Sequence, residues 1–145
     1  MQEITLIRPE HFAEVHTIEE LCFSEPWSER SLGLLCEGEN FGIAALVDGR
    51  VAAYGGMTCV LDEGSVTNIA THPDFRRRGL ASAVLSAMLC EAEKRGIENI
   101  FLEVRASNDA ARDMYLKAGF CELGVRRGFY RHPTEDAIQM AYRKN

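Results

Sequence analysis

The chain has 145 residues, 46% hydrophobic and 26% charged, with 16 Lys and Arg against 22 Asp and Glu for a formal charge of -6. That describes one globular domain spanning residues 1–145. No apolar run approaches the roughly 18 to 20 residues that cross a bilayer, the N-terminus lacks the basic-then-apolar order of a signal peptide, and an acidic chain without a basic stripe suits nucleic acid poorly; a cytoplasmic protein with neither membrane nor nucleic-acid partner is expected.

Ile4 and Leu6 open a strand. After Pro9, the spacing of three between Phe12, Val15, Ile18 and Leu21 predicts a helix with those four side chains on one face, which Pro26 stops. Ser28 is the N-cap of a short helix through Leu32 and Leu35 that Gly38 and Asn40 end. The runs Phe41 to Val47 and Val51 to Cys59 flank Asp48-Gly49, a strong hairpin signal because both central residues of a type I′ turn need positive φ. A further turn at Asp62, Glu63 and Gly64 leads into the β-branched run Ser65 to Ala70, giving an antiparallel meander of about three strands. From Leu80 the period becomes helical: Ala81, Val84, Leu85, Met88 and Ala92 share a face, Lys94 and Arg95 occupy the last turn, and Gly96 closes it. Ile97, Ile100, Leu102 and Val104 form a strand, parallel to the Ser65–Ala70 strand across the helical crossover. A helix from Asn108 to Ala118, closed by Gly119, precedes strands at Phe120 to Arg126 and Ala137 to Tyr142. The fold class is α/β with a mixed sheet.

The five cysteines, Cys22, Cys36, Cys59, Cys90 and Cys121, are scattered singly without Cys-x-x-Cys or a His at ligand spacing. Reduced, mostly packed thiols are expected, and no metal. Charge is divided unevenly: Met1 to Phe75 carries 3 basic and 13 acidic residues (-10), Arg76 to Asn145 carries 13 and 9 (+4). The second half could accept a polyanion.

The junction Thr71-His72-Pro73-Asp74-Phe75-Arg76-Arg77-Arg78-Gly79-Leu80-Ala81 places three arginines and a glycine between a strand and a helix start. Unpaired N–H groups there point outward and attract phosphate. Taken alone, Arg-Arg-Arg-Gly is equally a solvated basic loop. Its position at the carboxyl edge of a parallel strand pair favours a ligand site. Neither a Walker A loop nor a Gly-x-Gly-x-x-Gly fingerprint is present.

Arg76-Arg77-Arg78-Gly79-Leu80-Ala81 resembles the [Arg/Gln]-x-x-Gly-x-[Gly/Ala] signature of the GCN5-related N-acetyltransferases (GNAT), and the likeness covers nearly the whole chain. Phe23-Ser24-Glu25-Pro26-Trp27-Ser28, Val66 to Ala70, Leu102 to Asn108 and Glu135-Asp136-Ala137 are similar to the family's RimI group. The resemblance implies the GNAT acyl-CoA N-acyltransferase fold, with two parallel strands splayed around acetyl-CoA. It also implies acetylation of the N-terminal alanine of ribosomal small-subunit protein eighteen, by direct transfer in a ternary complex.

Such a transfer needs a base for an amine of pKa roughly 7.7 to 8.0 and an acid for the departing thiolate. By position, Glu103 amid Phe101, Leu102 and Val104 is either a partly desolvated base or a carboxylate that faces solvent or pairs with Arg105. Tyr115, two helical turns after Asn108, is either an acid or packing beside Met114 and Ala118. The resemblance implies Glu103 as proton acceptor and Tyr115 as proton donor. It implies cofactor contacts from Ile69, Ala70 and Thr71, from Arg77, Arg78, Gly79, Leu80, Ala81 and Ser82 of the turn, and from Asn108, which is also a candidate N-cap. Trp27 and Tyr130 fall in the segments it places beside the peptide. The loop Arg126 to Thr134 departs from the family's Arg-Arg-Asn-Tyr-Tyr-Pro at Gly128 and Phe129, which bears on peptide selectivity.

The same scaffold serves acetylation of polyamines, aminoglycosides, amino acids and internal lysines, and a non-catalytic acyl-CoA-binding module is a third alternative that Glu103 and Tyr115 oppose. Nothing in the sequence sets an oligomeric state, and a monomer is compatible with it.

Overall fold

The Asp48-Gly49 pair turns the chain as its residue types predict, with φ of 51° and 81°, joining β2 (Phe41–Val47) to β3 (Arg50–Val60). The computed structural model describes residues 1–143; residues 144–145, which end the expected domain, lie outside the described residues. The hairpin belongs to a seven-stranded sheet in the order β1-β2-β3-β4-β5-β7-β6. Its other members are β1 (Gln2–Leu6), β4 (Glu63–Thr71), β5 (Asn99–Arg105), β6 (Cys121–Tyr130) and β7 (Glu135–Arg143). Because β1 pairs with β2 from Gln2↔Val47 to Leu6↔Ile43, the antiparallel meander has four strands and not three.

One parallel pair interrupts this pattern. β4 and β5 pair only at Glu63↔Asn99, Gly64↔Ile100 and Ser65↔Phe101, although β4 runs on to Thr71 and β5 to Arg105. Beyond Ser65 the two strands separate, and the edges that face each other carry backbone groups without a strand partner. Opposite, Gly55 pairs with Ile69 and Met57 with Val66, so Thr67 and Asn68 together face Gly56, a bulge that bends β4. Gly56 makes the bend possible: a Cβ there would meet Thr67 Oγ1 at 2.5 Å.

Helices cover both faces. α3 (Leu80–Lys94) buries Leu80, Val84, Leu85, Met88 and Ala92 against the sheet. On the other face α1 (Phe12–Cys22) and α2 (Glu29–Leu32), continued by a 3₁₀ turn to Cys36, pack Val15, Ile18, Leu32 and Leu35 against Ala44, Tyr54 and Ala70. Full burial of one such aliphatic side chain contributes about 1.5–3 kcal/mol. α4 (Asp109–Ala118) follows β5, its Asn108 N-cap accepting the Ala111 N–H at 3.2 Å. Ser28 caps α2 in the same way through Ser31 N–H. Among the described residues no helix is long and apolar enough to cross a membrane.

Several expectations need correction. Leu21 is 52% exposed and Glu19 takes its place on the buried face of α1, because at 3.6 residues per turn the stripe Val15–Ile18 continues at 19 and 22 and not at 21. α1 ends at Cys22, where Phe23 turns extended, four residues before Pro26. The turn after β3 lies at Leu61 and Asp62, with Leu61 at φ 56°, so Glu63 and Gly64 already belong to β4. Ile97 is buried but precedes β5. Leu80 and not the half-buried Ala81 opens the apolar face of α3. Phe120, buried beside Tyr115, stands just before β6, and β6 runs to Tyr130, leaving 131–134 as the turn. No cysteine is fully buried: Cys22 and Cys59 are half-buried, and Cys36, Cys90 and Cys121 are exposed.

Candidate functional site

Where β4 and β5 part, a cavity of about 540 Å³ opens. β4 contributes Val66 to Ile69, β5 contributes Glu103 to Arg105, and α4 contributes Asn108, Ala111 and Tyr115. Cys22 to Glu25 and Trp27 form one rim, and Phe129 to Pro133 form the other. Ser24 Oγ donates to the Arg131 carbonyl at 3.4 Å and closes the rims on each other.

Glu103 is half-buried, and its side chain makes no hydrogen bond or ion pair with another described residue. Arg105, its sequence-proposed alternative partner, is engaged elsewhere: Nη1 contacts Glu135 at 3.2 Å and the Pro133 carbonyl at 3.0 Å, and Nη2 donates to the Arg131 carbonyl at 3.0 Å. Its guanidinium also lies 4.5 Å from the centre of the Tyr130 ring. The Ser107 N–H donates to Glu135 at 2.6 Å, and hydrogen bonding from Ser107, then from Arg105, holds the Glu135 carboxyl below its ordinary range. Asp136 accepts the Gly128 N–H at 2.8 Å. The acidic pair therefore shapes the β6–β7 rim and leaves Glu103 open to the cavity.

Tyr115 is 6% exposed and stacks edge-on against Phe120 at 5.4 Å. Among the described residues its hydroxyl has no hydrogen-bond partner and no fully buried polar side-chain atom lacks one, so the hydroxyl is not fully buried, and Tyr115 lines the cavity. Burial, then the neighbouring Tyr130, raises its pKa above the ordinary phenol value. Tyr130 is pushed up to about 12, by burial first and by the Glu103 carboxylate second. Both phenols thus remain proton donors at neutral pH.

The arginine turn lies apart from this cavity. Arg77, Arg78, Gly79, Leu80, Ala81 and Ser82 are not among its lining residues, nor are Ala70 and Thr71, whereas Ile69, Asn108, Trp27 and Tyr130 are. Gly79 is the N-cap of α3 at φ 73°, and an added Cβ would meet nothing within 4 Å. Arg77 is also left-handed, at φ 66°. The Ala83 N–H makes the first helical bond, to the Gly79 carbonyl at 3.1 Å, so the amides of Leu80, Ala81 and Ser82 precede the helical ladder. Arg76 reaches back to Cys22 Sγ at 3.6 Å and Arg78 lies 5.2 Å from the Phe75 ring centre. Open space, leading amides and arginines together suit a phosphate, and the unpaired edge of β4 suits the amides of an extended chain.

Three residues escaped sequence reasoning. Glu19 is fully buried and bonded to Tyr54, Asn68 and Trp27. Correct helical phase would have flagged a carboxylate on an apolar stripe; nothing marked Tyr54, and Asn68 drew attention only as part of a motif.

A model of the acetyltransferase (GNAT) family matches residues 12–120. The [ribosomal protein bS18]-alanine N-acetyltransferase of Escherichia coli strain K12 is 38% identical over 146 residues, covering 97% of each chain. The crystal structure of the ribosomal-protein-S18-alanine N-acetyltransferase from Escherichia coli superposes with a TM-score of 0.91 at 36% identity, over 99% of this chain and 94% of that one. The NatC complex bound to Gag peptide and CoA shares the fold, with a TM-score of 0.84 at 18% identity over 99% of each chain.

Proposed function

The chain belongs to the acetyltransferase (GNAT) family, and from that premise we propose that it acetylates the α-amine of an N-terminal alanine, with ribosomal protein bS18 as its target. Acetyl-CoA is the donor this family uses. Gly79, the amides of Leu80, Ala81 and Ser82, and Arg77 and Arg78 receive its pyrophosphate. The β4 edge at Ile69, Ala70 and Thr71 pairs with its extended arm, and Asn108 borders it from the cap of α4.

One observation carries the reading: Glu103 and the Tyr115 hydroxyl open into the same cavity, between the Trp27 rim and the Tyr130 rim. Glu103, free of ion pairs, takes the proton from the incoming ammonium, directly or through a water. Tyr115, protonated throughout the neutral range, gives its proton to the leaving sulfur as the C–S bond breaks, and the second proton shed by the acylated nitrogen restores the phenol. A backbone N–H of the β4 bulge stabilises charge developing on the acyl oxygen. No cysteine is needed as an acyl carrier. Cys22, the thiol that lines the cavity, is raised above its ordinary pKa, by burial before any other cause, which disfavours a thiolate.

The test is mass spectrometry of a mixed pool, alanine-initiated ribosomal peptides beside peptides with internal lysine and small polyamines, incubated with acetyl-CoA. Acetylation concentrated on alanine α-amines is expected. Acetyl groups confined to polyamines or to lysine ε-amines would overturn the substrate class.

A further inference from the structure

Glu19 projects from α1 into the interior between the helices and the sheet and has no solvent exposure. Both carboxylate oxygens are filled by donors. Oε1 accepts the Trp27 N–H at 2.8 Å and Asn68 Nδ2 at 3.3 Å; Oε2 accepts Asn68 Nδ2 at 3.0 Å and the Tyr54 hydroxyl. No cation pairs with it among the described residues. A buried carboxylate held only by neutral donors is an expensive way to fill a helix face that an aliphatic side chain would fill without desolvation cost. What it provides that an aliphatic side chain cannot is direction.

The partners sit on the cavity's walls. Trp27 belongs to one rim, and its carbonyl accepts from His16 Nδ1 at 2.7 Å, so the backbone on either side of its ring is tied to α1. Asn68 occupies the bulge of β4, where that strand leaves β5. Tyr54 comes from β3, beneath both. One carboxylate therefore links the rim that meets the acceptor to the strand that meets the donor, and it does so from outside the cavity.

We propose that Glu19 is a positioning residue for the acceptor amine: it fixes the Trp27 rim against the β4 bulge, and so sets the width of the acceptor side of the cavity. The proposal rests on the acetyltransferase reading of the same cavity. It does not require Glu19 to touch either substrate. Positioning of this kind is steep in its effect, because a misplacement of about 1 Å at a reacting centre can lower a rate by about 10²-fold.

Glu19→Gln is the informative variant. Every partner donates to the carboxylate, and the Trp27 N–H can only donate, so the new amide NH₂ falls at the other oxygen, where the Tyr54 hydroxyl must turn its proton away and the Asn68 amide must flip; the present geometry is disturbed while side-chain volume is kept. Steady-state kinetics with an alanine-initiated peptide, calorimetric titration of acetyl-CoA and thermal melting are compared with wild type. The expected result is a peptide KM raised about 10-fold with lower kcat, against an acetyl-CoA Kd within about twofold. Tyr54→Phe, which leaves the carboxylate with Trp27 and Asn68, raises the peptide KM less, about threefold. A folded Glu19→Gln enzyme with wild-type peptide KM overturns the proposal, as does an equal change in peptide KM and acetyl-CoA Kd, the mark of general loosening. Should Glu19→Gln not fold, Tyr54→Phe and Asn68→Ala are read by the same split, and wild-type peptide KM in both overturns it. If wild type itself ignores the peptide, the substrate assignment fails instead, and the same ratio is read with whichever amine it does acetylate.

Discussion

Gly79→Ala separates a backbone requirement from a ligand requirement at the mouth of α3. Gly79 has φ 73° and Gly96, just past the other end of the same helix, has φ 77°; neither would bring an added Cβ within 4 Å of another atom. Both alanine variants therefore carry the same cost, about 1–2 kcal/mol for an L-residue in the left-handed region. For a domain of this size that corresponds to a melting temperature lower by roughly 3 to 8 °C. The strain is present with and without ligand, so it cancels from an affinity. Any difference in acetyl-CoA Kd between the variants reports what the methyl group meets in the bound state. If the pyrophosphate lies on Gly79 and the amides that follow it, Gly79→Ala weakens acetyl-CoA at least about tenfold, a loss of about 1.4 kcal/mol. Gly96→Ala leaves the affinity within about twofold of wild type. Calorimetric titration beside thermal melting measures both quantities. Equal melting losses with equal Kd values would refute the placement of the pyrophosphate at this turn, and unequal melting losses would refute the strain comparison itself.

Glu103→Gln is expected to leave acetyl-CoA affinity nearly intact while lowering turnover at neutral pH by about 10²-fold, the lower range of general-base contributions; an unchanged rate removes Glu103 from that role. Tyr115→Phe is expected to depress the chemical step in single-turnover measurements, and full activity there eliminates it as the acid. Because burial raises Tyr115 and places Tyr130 at about 12, the pH–rate profile should rise with deprotonation of the acceptor amine and show no descending limb from these phenols near the ordinary value of about 10. A loss of rate between pH 9 and about 10 that Tyr115→Phe abolishes would contradict the burial assigned to that hydroxyl. If the field of the -10 half, Met1 to Phe75, draws in basic acceptors, raising salt from low ionic strength to about 0.15 M, where the Debye length is about 8 Å, lowers kcat/KM for basic peptides and not for neutral ones; equal responses would exclude that steering.

Local chemistry was legible wherever one residue type answers to one backbone demand. Asp48-Gly49, Ser28, Asn108, Gly96 and Gly119 stand at the turns and caps their side chains or positive φ require. The two strands around the site were legible as a parallel pair from the length of the crossover, and their separation only from the family likeness. That separation coincides with a register event, two residues of β4 against Gly56, that no pattern of apolar residues encodes. Phase was the weaker signal. Four apolar residues spaced by three drift off the face of a 3.6-residue helix, which is how Leu21 displaced Glu19 and how the buried network stayed hidden. Glu135 and Asp136 illustrate the complementary difficulty: their motif was visible, but their role depends on Arg105, Ser107 and Gly128, partners brought in by strand pairing.

The division of charge takes a different form once partners are assigned. Three of the second half's thirteen basic residues are committed to ion pairs within the chain: Arg105 to Glu135, Arg112 to Glu122 and Arg95 to Glu91. What stays exposed beside the unfilled space at Gly79 is the Arg76 to Arg78 run, with Arg77 making no ion pair among the described residues. The cavity shows the opposite balance: Arg105 is neutralised by Glu135, while Glu25 and Glu103, without an ion pair among the described residues, outnumber the single unpaired cation of its lining, Arg131. Free cations at the α3 turn and free carboxylates in the cavity are the distribution that a polyanionic donor and a cationic amine call for, each at its own end of the gap between β4 and β5. Net charge therefore says little about this site. A chain of -6 can present a positive turn to one substrate and a negative cavity to the other because intramolecular pairing decides which charges remain available.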